Sequence, residues 1–279
     1  MRRNHRANTT PRTGRHEIPR QFPLGVGGFT LIEIMIALST FLIVLFAVYS
    51  SFESSRATFA AGEQRADIQQ NARIAMELMG SDLRLVGYGY PAGLGAITNA
   101  TATSITFWGD VMNASTTLAA DIAAGTTTLP VDNALGIADG DTIYLINGGQ
   151  WEQATLVTPN GVNTAVVPNT ITITAGTANA YPWGSQVGLP RQVTYSWAAG
   201  PAPNPGTIFK DDGTGPGLQP LADNIQAFQI LYFDANGNPT AVLANIRQMT
   251  ISFTAQSPPG WWRQQNFTIT SDIRVRNLS

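Results

Sequence analysis

Residues 29–52 read FTLIEIMIALSTFLIVLFAVYSSF, and this stretch decides how the chain is organised. It contains 24 residues and a single charged side chain, that of Glu33. At about 1.5 Å per residue, a helix of this length extends roughly 36 Å, which exceeds the roughly 30 Å hydrocarbon core of a bilayer. The stretch therefore predicts a membrane-spanning helix near the N-terminus.

A basic segment precedes the apolar stretch. Residues 1–28 contain six arginines and one acid, Glu17, so the positive-inside rule predicts that this segment stays in the cytoplasm and the body lies outside. Small residues, Gly-Val-Gly-Gly at 25–28, come before the apolar run rather than after it. That order disfavours a secretory signal peptide. A plain signal anchor remains the alternative.

Glu33 lies one turn inside the apolar helix, where its charge calls for a partner. An ionised carboxylate at that depth costs about 2.5–3.5 kcal/mol on insertion scales. Cleavage after Gly28 would create a positive amine at Phe29, which is unfavourable at the positive end of its own helix dipole. When such helices bundle, the two charges on neighbouring subunits would neutralise each other.

Residues 28–33, Gly-Phe-Thr-Leu-Ile-Glu, resemble the processing motif of type IV prepilins. The resemblance implies that a prepilin peptidase cuts between Gly28 and Phe29 and methylates the new N-terminal amine of Phe29. It also implies that Glu33 pairs with the N-terminal amine of an adjacent subunit during assembly.

The helix is predicted to continue beyond the membrane as an amphipathic half. Apolar residues recur there at spacings of three and four. The stripe consists of Ile68, Ala72, Ala75, Met79, Leu83 and Val86. A breaker cluster, Gly-Tyr-Gly-Tyr-Pro at 87–91, ends it. The chain thus divides into a cleaved leader at 1–28, a helix at 29–90 and a β-rich globular domain at 91–279.

After residue 91, short β-prone runs alternate with turns rich in Gly, Pro and Asn, which is typical of an antiparallel sheet. Proline-rich residues 200–206 and 213–220 are predicted loops. The predicted strands cover residues 104–108, 142–146, 152–157, 170–174, 192–197, 225–234, 247–256 and 267–276. The predicted fold class is α+β, with the long helix packed on the sheet as the resemblance to type IV pilins implies.

Residues 121–187 are predicted to form a β-rich insert. Short β-prone pieces surround the turn at Asp139, Gly140 and Asp141, a pattern that indicates a small barrel-like unit. The alternative is a longer meander of the main sheet. Asp139 and Asp141 have no convergent third ligand and are interpreted as turn residues rather than as a metal site.

Composition argues against catalysis and nucleic-acid binding. The chain has no cysteine, and its two histidines, His5 and His16, lie in the leader. A mature chain would lack the commonest general base, zinc ligands and thiol nucleophiles. It would contain 10 basic and 17 acidic residues, a formal charge of −7 that does not suit phosphate neutralisation. We therefore expect no enzymatic activity, no metal or other cofactor, and no nucleic-acid partner.

Two predicted loops contain candidate binding sites, and each also has a simpler structural interpretation. Asp234, Asn236 and Asn238 have the alternate spacing of a calcium loop, but the later glutamate of an EF-hand is missing, so an Asn-Gly hairpin turn is favoured. Trp261 and Trp262 are either adhesive contacts or packing at a sheet edge.

The C-terminal half indicates which group of prepilin-like proteins the chain resembles. The long helix, the paired runs at 226–233 and 246–253 and the ending Arg-Val-Arg-Asn-Leu at 274–278 resemble minor pilins of the PilW group. J-type pseudopilins of type II secretion are the next most similar class. No such likeness extends to the insert.

The resemblance implies a minor pilin that lies in the inner membrane before assembly and on the pilus or cell surface afterwards. Its implied partners are prepilin peptidase, other minor pilins and the major pilin, with which it would initiate or cap a pilus used for motility or adhesion. The alternatives are a J-type pseudopilin and a membrane-anchored exported binding module or enzyme. An enzyme could use carboxylates such as Glu152 and Asp223, but no motif pairs them.

Overall fold

The computed structural model describes residues 28–257 and 264–278. The leader at 1–28, apart from its last residue, and the pair Trp261 and Trp262 lie outside the described residues. The chain divides into a first unit that ends at Arg56 and a globular unit that begins at Ala57. One helix, α1 (Leu31–Arg84), contributes residues to both.

The first unit consists of the apolar half of α1. The helix begins at Leu31, two residues after the predicted start at Phe29. Its apolar side chains are solvent-exposed, and by length and composition it is able to cross a membrane. Such a segment near the N-terminus is compatible with a membrane anchor or a signal.

The part of α1 in the globular unit is buried along one face. The buried apolar residues are Ile68, Ala72, Ala75, Met76, Met79 and Leu83, which confirms the predicted stripe. The helix ends at Arg84, short of the predicted Tyr90. The reason is Gly87, whose φ of +79° lies in the left-handed region and whose amide donates to the carbonyl of Trp108 at 2.8 Å, drawing the chain onto the sheet.

In the described part of the chain, fourteen strands follow the helix. In chain order they are β1 (Ile97–Ala100), β2 (Ser104–Gly109), β3 (Thr116–Thr117), β4 (Thr128–Val131), β5 (Thr142–Asn147), β6 (Gln150–Thr155), β7 (Val162–Asn163), β8 (Asn169–Thr172), β9 (Gln186–Gly188), β10 (Arg191–Ala198), β11 (Gly206–Asp211), β12 (Gln219–Phe233), β13 (Gln248–Gln256) and β14 (Asn266–Arg274). A short 3-10 helix (Leu243–Asn245) lies between β12 and β13.

The main sheet is antiparallel and has seven strands in the order β1-β2-β10-β11-β12-β13-β14. Alternate side chains of its central strands are buried against α1, as shown by the burial pattern of β13. Phe228 faces Phe253 across β12 and β13, with ring centroids 6.2 Å apart. The α+β class and the antiparallel sheet are therefore as predicted.

All eight predicted strands coincide with observed ones, but the prediction of two loops was partly wrong. β11 begins at Gly206, and β12 already begins at Gln219, so Pro220 lies within a strand. The register between β11 and β12 shifts near Phe209 and Pro220, and such an irregularity accommodates a residue without an N–H donor.

The chain between β2 and β10 forms two small antiparallel sheets, in the orders β3-β9-β5-β6 and β4-β8-β7. A separate hydrophobic core lies among these strands and includes Leu129, Leu145 and Ile171. Its strands do not join the main sheet, in contrast to the meander alternative. The core extends from Ala114 to Leu189, slightly beyond the predicted bounds of the insert.

Aromatic rings connect the insert to the main sheet. Tyr90 stacks on Trp108 with ring centroids 5.5 Å apart and packs edge-on against Tyr144 of the insert at 5.3 Å. The ring of Trp151 is tilted against that of Tyr144, with ring centroids 6.4 Å apart. Such pairs add about 0.5–1.5 kcal/mol beyond the area they bury, so they help to hold the insert against the sheet.

Candidate functional site

The candidate functional site is the start of α1, where Thr30 and Glu33 form a reciprocal cap. The Thr30 amide and hydroxyl donate to Glu33 Oε2 at 3.3 and 3.2 Å, and the Glu33 amide donates to Thr30 Oγ1 at 3.3 Å. This is a capping box, in which two otherwise unpaired amides at a helix start are satisfied. It places the Glu33 carboxylate at the first turn, close in the chain to Phe29.

The residues of the predicted cleavage site are accessible. Gly28 and Phe29 are exposed, with 83% of Phe29 accessible. A Cβ atom at Gly28 would meet nothing within 4 Å, so the described fold does not itself require glycine there. A requirement for glycine at this position would come from a partner that binds the segment.

Glu33 forms no ion pair with any of the residues that the structure describes. Its carboxylate is exposed on the apolar half of α1, and among the described residues its hydrogen-bond donors are the neutral amide and hydroxyl of Thr30. The energetic need for a positive partner in a bilayer is therefore not met by the described part of the chain.

Thr30 is the site residue that sequence reasoning missed. Its signal was present, because a threonine followed three residues later by a glutamate ahead of an apolar run is the pattern of a capping box. Gly28, Phe29 and Glu33 lie within one short segment, as their spacing in the sequence requires.

The alternative acidic sites are turns. Asp139 accepts hydrogen bonds from the amides of Asn160 and Val162, and Asp141 accepts one from the amide of Ala138. Among the described residues, no group of three or more His, Asp or Glu side chains is arranged to hold a metal ion.

The two carboxylates considered for an enzyme also accept hydrogen bonds within the globular unit. Glu152 accepts from the amide of Ala178, and Asp223 from the hydroxyl of Thr207. Within the described chain, neither belongs to a group of three or more His, Asp or Glu side chains that could hold a metal ion.

The hydrogen bonds in the turn at Asp234 predict a lowered pKa for its carboxyl group. Hydrogen bonds from the amides of Asn238 and Asn236 hold the pKa of the Asp234 carboxyl below its usual value. Because the folded pKa is depressed, the stabilisation of the hairpin is present above the unfolded pKa and is lost as pH falls through the folded pKa. A carboxyl-carbon NMR titration of Asp234 should show a midpoint below about 3.9. A midpoint at or above that value would contradict these hydrogen bonds.

A buried polar cluster connects α1 to the main sheet. Lys210, the only lysine of the chain, lies with Nζ 2.7 Å from Oδ2 of Asp82. The hydroxyl of Tyr195 donates to the same oxygen at 2.5 Å. The side chains of Lys210 and Asp82 are 19% and 7% exposed. Asp82 belongs to the helix, whereas its partners belong to β11 and β10.

The cluster has a structural role. Burial, and then the adjacent Asp82 carboxylate, raise the pKa of the Tyr195 hydroxyl, so the hydroxyl keeps its proton and remains a donor. Each charge is paired and hydrogen-bonded, the condition under which buried charges are tolerated. The sequence did not reveal this cluster, because its members are far apart in the chain.

No protein-family model matches the chain, and the search of curated proteins found no similar sequence. The prepilin-like segment at 28–33 and the fold described above are therefore the observations from which a function is inferred.

Proposed function

We propose that the chain is a type IV prepilin-like protein, and that within this class it acts as a minor pilin of the PilW group. The observation that carries the proposal is the segment Gly28–Phe29 followed by Glu33, placed at the head of a helix whose first half is apolar and exposed. The packing of the second half of that helix on an antiparallel sheet supports it, because the prepilin resemblance implies that architecture.

The proposed processing follows from the accessible start of the helix. Prepilin peptidase would cut after Gly28 and methylate Phe29, leaving the apolar half of α1 in the inner membrane. The carboxylate of Glu33 would then be buried in lipid with only Thr30 as its partner, at a cost of about 2.5–3.5 kcal/mol. Pairing with the amine of a neighbouring subunit would remove this cost, which favours bundling of the helices.

A place at the start or tip of the fibre is proposed from the size of the body. A globular unit that carries an insert with its own core is bulky for regular repetition along a thin fibre. Low-copy placement with other minor pilins, initiating or capping the pilus and supporting motility or adhesion, accommodates that bulk.

Replacing Glu33 with leucine tests the proposed assembly step. The variant should be processed and remain in the inner membrane. It should be lost from fibres sheared off the cell surface, because it lacks the carboxylate that would pair with the Phe29 amine of a neighbouring subunit. The measurement is an immunoblot of the sheared and membrane fractions.

The matched control is Glu53→Leu, which removes a carboxylate further along the same helix. In the structure, Oε1 of Glu53 lies 3.7 Å from Nη1 of Arg56. This variant should reach the fibres as the original chain does. Equal amounts of Glu33→Leu and original protein in the fibres would contradict the proposed role of Glu33.

A further inference from the structure

A cavity of about 120 Å³ lies where three segments of the globular unit meet. Its lining comes from the turn after α1 at residues 87–97, from the region of the 3-10 helix including Ala244 and Arg247, and from residues 277–278. A dry cavity of roughly 150 Å³ holds one benzene molecule, so at about 120 Å³ this one encloses only part of a small organic molecule.

Arg247 supplies the cavity with a positive charge. Its Nη1 donates to the carbonyl oxygens of Ala244 at 2.8 Å and Ile246 at 2.9 Å, which holds the guanidinium in place. Within the described chain, Nη2 and Nε donate to no acceptor, and no carboxylate pairs with Arg247. A fixed guanidinium with free donors matches the geometry of a carboxylate.

The glycine-rich turn beside Arg247 offers further donors. Gly93 and Gly95 have φ values of +89° and +73°, in the left-handed region. Their amides donate to no acceptor of the described residues. The amide of Leu94 between them donates to the carbonyl of Pro91 at 3.4 Å, so the turn offers two separate free amides rather than a continuous anion-binding nest. A Cβ atom at either glycine would meet nothing within 4 Å, so space is open around the turn.

The rest of the lining is mostly apolar, and its polar exception is Asn277, whose Nδ2 donates to the carbonyl of Arg84 at 3.4 Å. Ile97, Leu243, Leu278 and Tyr90 are among the residues that line the cavity. Because Tyr90 is stacked on Trp108, the aromatic wall is held in a fixed position. The cavity thus combines an apolar wall with a cation and free amides, the composition of sites that orient small ligands.

We propose that this cavity binds a small organic carboxylate, with the carboxylate on Arg247 and an aromatic or branched apolar part against the wall formed by Tyr90 and Leu243. This site is distinct from the helix start and does not depend on the pilin assignment.

Benzoate tests the proposal, with benzyl alcohol as its uncharged counterpart. Ligand-observed NMR on the full chain in detergent micelles would measure the dissociation constants. Benzoate should bind at least about tenfold more tightly than benzyl alcohol, as expected for a charge-assisted pair of hydrogen bonds. Arg247→Gln should weaken benzoate binding by a similar factor.

Two further variants separate binding from folding. Ala244→Leu adds bulk to the lining of the cavity but keeps the arginine and the Ala244 carbonyl, so it should also abolish benzoate binding. Arg274→Gln, at an exposed position of β14, is the matched control and should bind benzoate unchanged. Equal binding of benzoate and benzyl alcohol, or benzoate binding that survives both Arg247→Gln and Ala244→Leu, would overturn the proposal. Absence of benzoate binding to the original chain would overturn it as well.

Discussion

Replacing Lys210 with methionine is expected to destabilise the globular unit by about 3–5 kcal/mol. The substitution leaves the Asp82 carboxylate buried with only the Tyr195 hydroxyl as its described partner. The low exposure of both charged side chains means that water does not replace the lost ammonium. Urea denaturation of the full chain in detergent micelles, monitored on the globular unit, measures the change in unfolding free energy.

The double variant Asp82→Leu, Lys210→Met tests whether the stability lost in Lys210→Met comes from the unpaired buried charge of Asp82. With both charges removed, most of the lost stability should return, because apolar side chains of similar volume replace buried ion pairs at little cost, and the remaining deficit of about 1–3 kcal/mol is that of the buried Tyr195 hydroxyl, which loses its acceptor. Arg274→Met, at an exposed position, is the control for removing a cation and should change stability by less than about 0.5 kcal/mol. A Lys210→Met effect below about 1 kcal/mol would show that the pair is not buried as described.

Replacing Leu145 with alanine should destabilise the insert by about 2–5 kcal/mol and leave the main sheet nearly unaffected. Leu145 is fully buried in the separate core between the two small sheets, so its truncation leaves a cavity there. Hydrogen exchange measured by mass spectrometry should show faster exchange in β5, β6 and β9, with β12 and β13 unchanged.

The matched variant is Ile251→Ala in the main core, where Ile251 is fully buried on β13. It should show the opposite pattern, with protection lost in β12 and β13 first. Equal loss of protection throughout the globular unit in both variants would contradict two separately packed cores.

The helix was predictable because its signals are local. Twenty-four residues with one charge, followed by apolar residues at spacings of three and four, define a helix whatever surrounds it. Its end was less predictable. Gly87 stops the helix at Arg84 through a hydrogen bond to Trp108, and that partner is known only once β2 is in place.

The missed features depend on contacts between distant parts of the chain. β11 was missed because the short run Thr207–Asp211 lies between loops rich in Pro and Gly and is stabilised by pairing with β10 and β12. The ion pair between Asp82 and Lys210 joins residues more than a hundred positions apart and has no sequence pattern. Thr30 had a recognisable pattern, and its role could have been predicted.

Intact-mass and N-terminal analysis of the protein from its native membrane, beside a Gly28→Ala variant, tests prepilin-type processing. We expect a mature chain that begins with methylated Phe29, and an uncleaved chain in the variant, whose fold should be intact because a methyl group at position 28 meets no atom of the described residues within 4 Å. A chain that still begins at Met1, or one cut after the apolar run, would contradict the prepilin proposal.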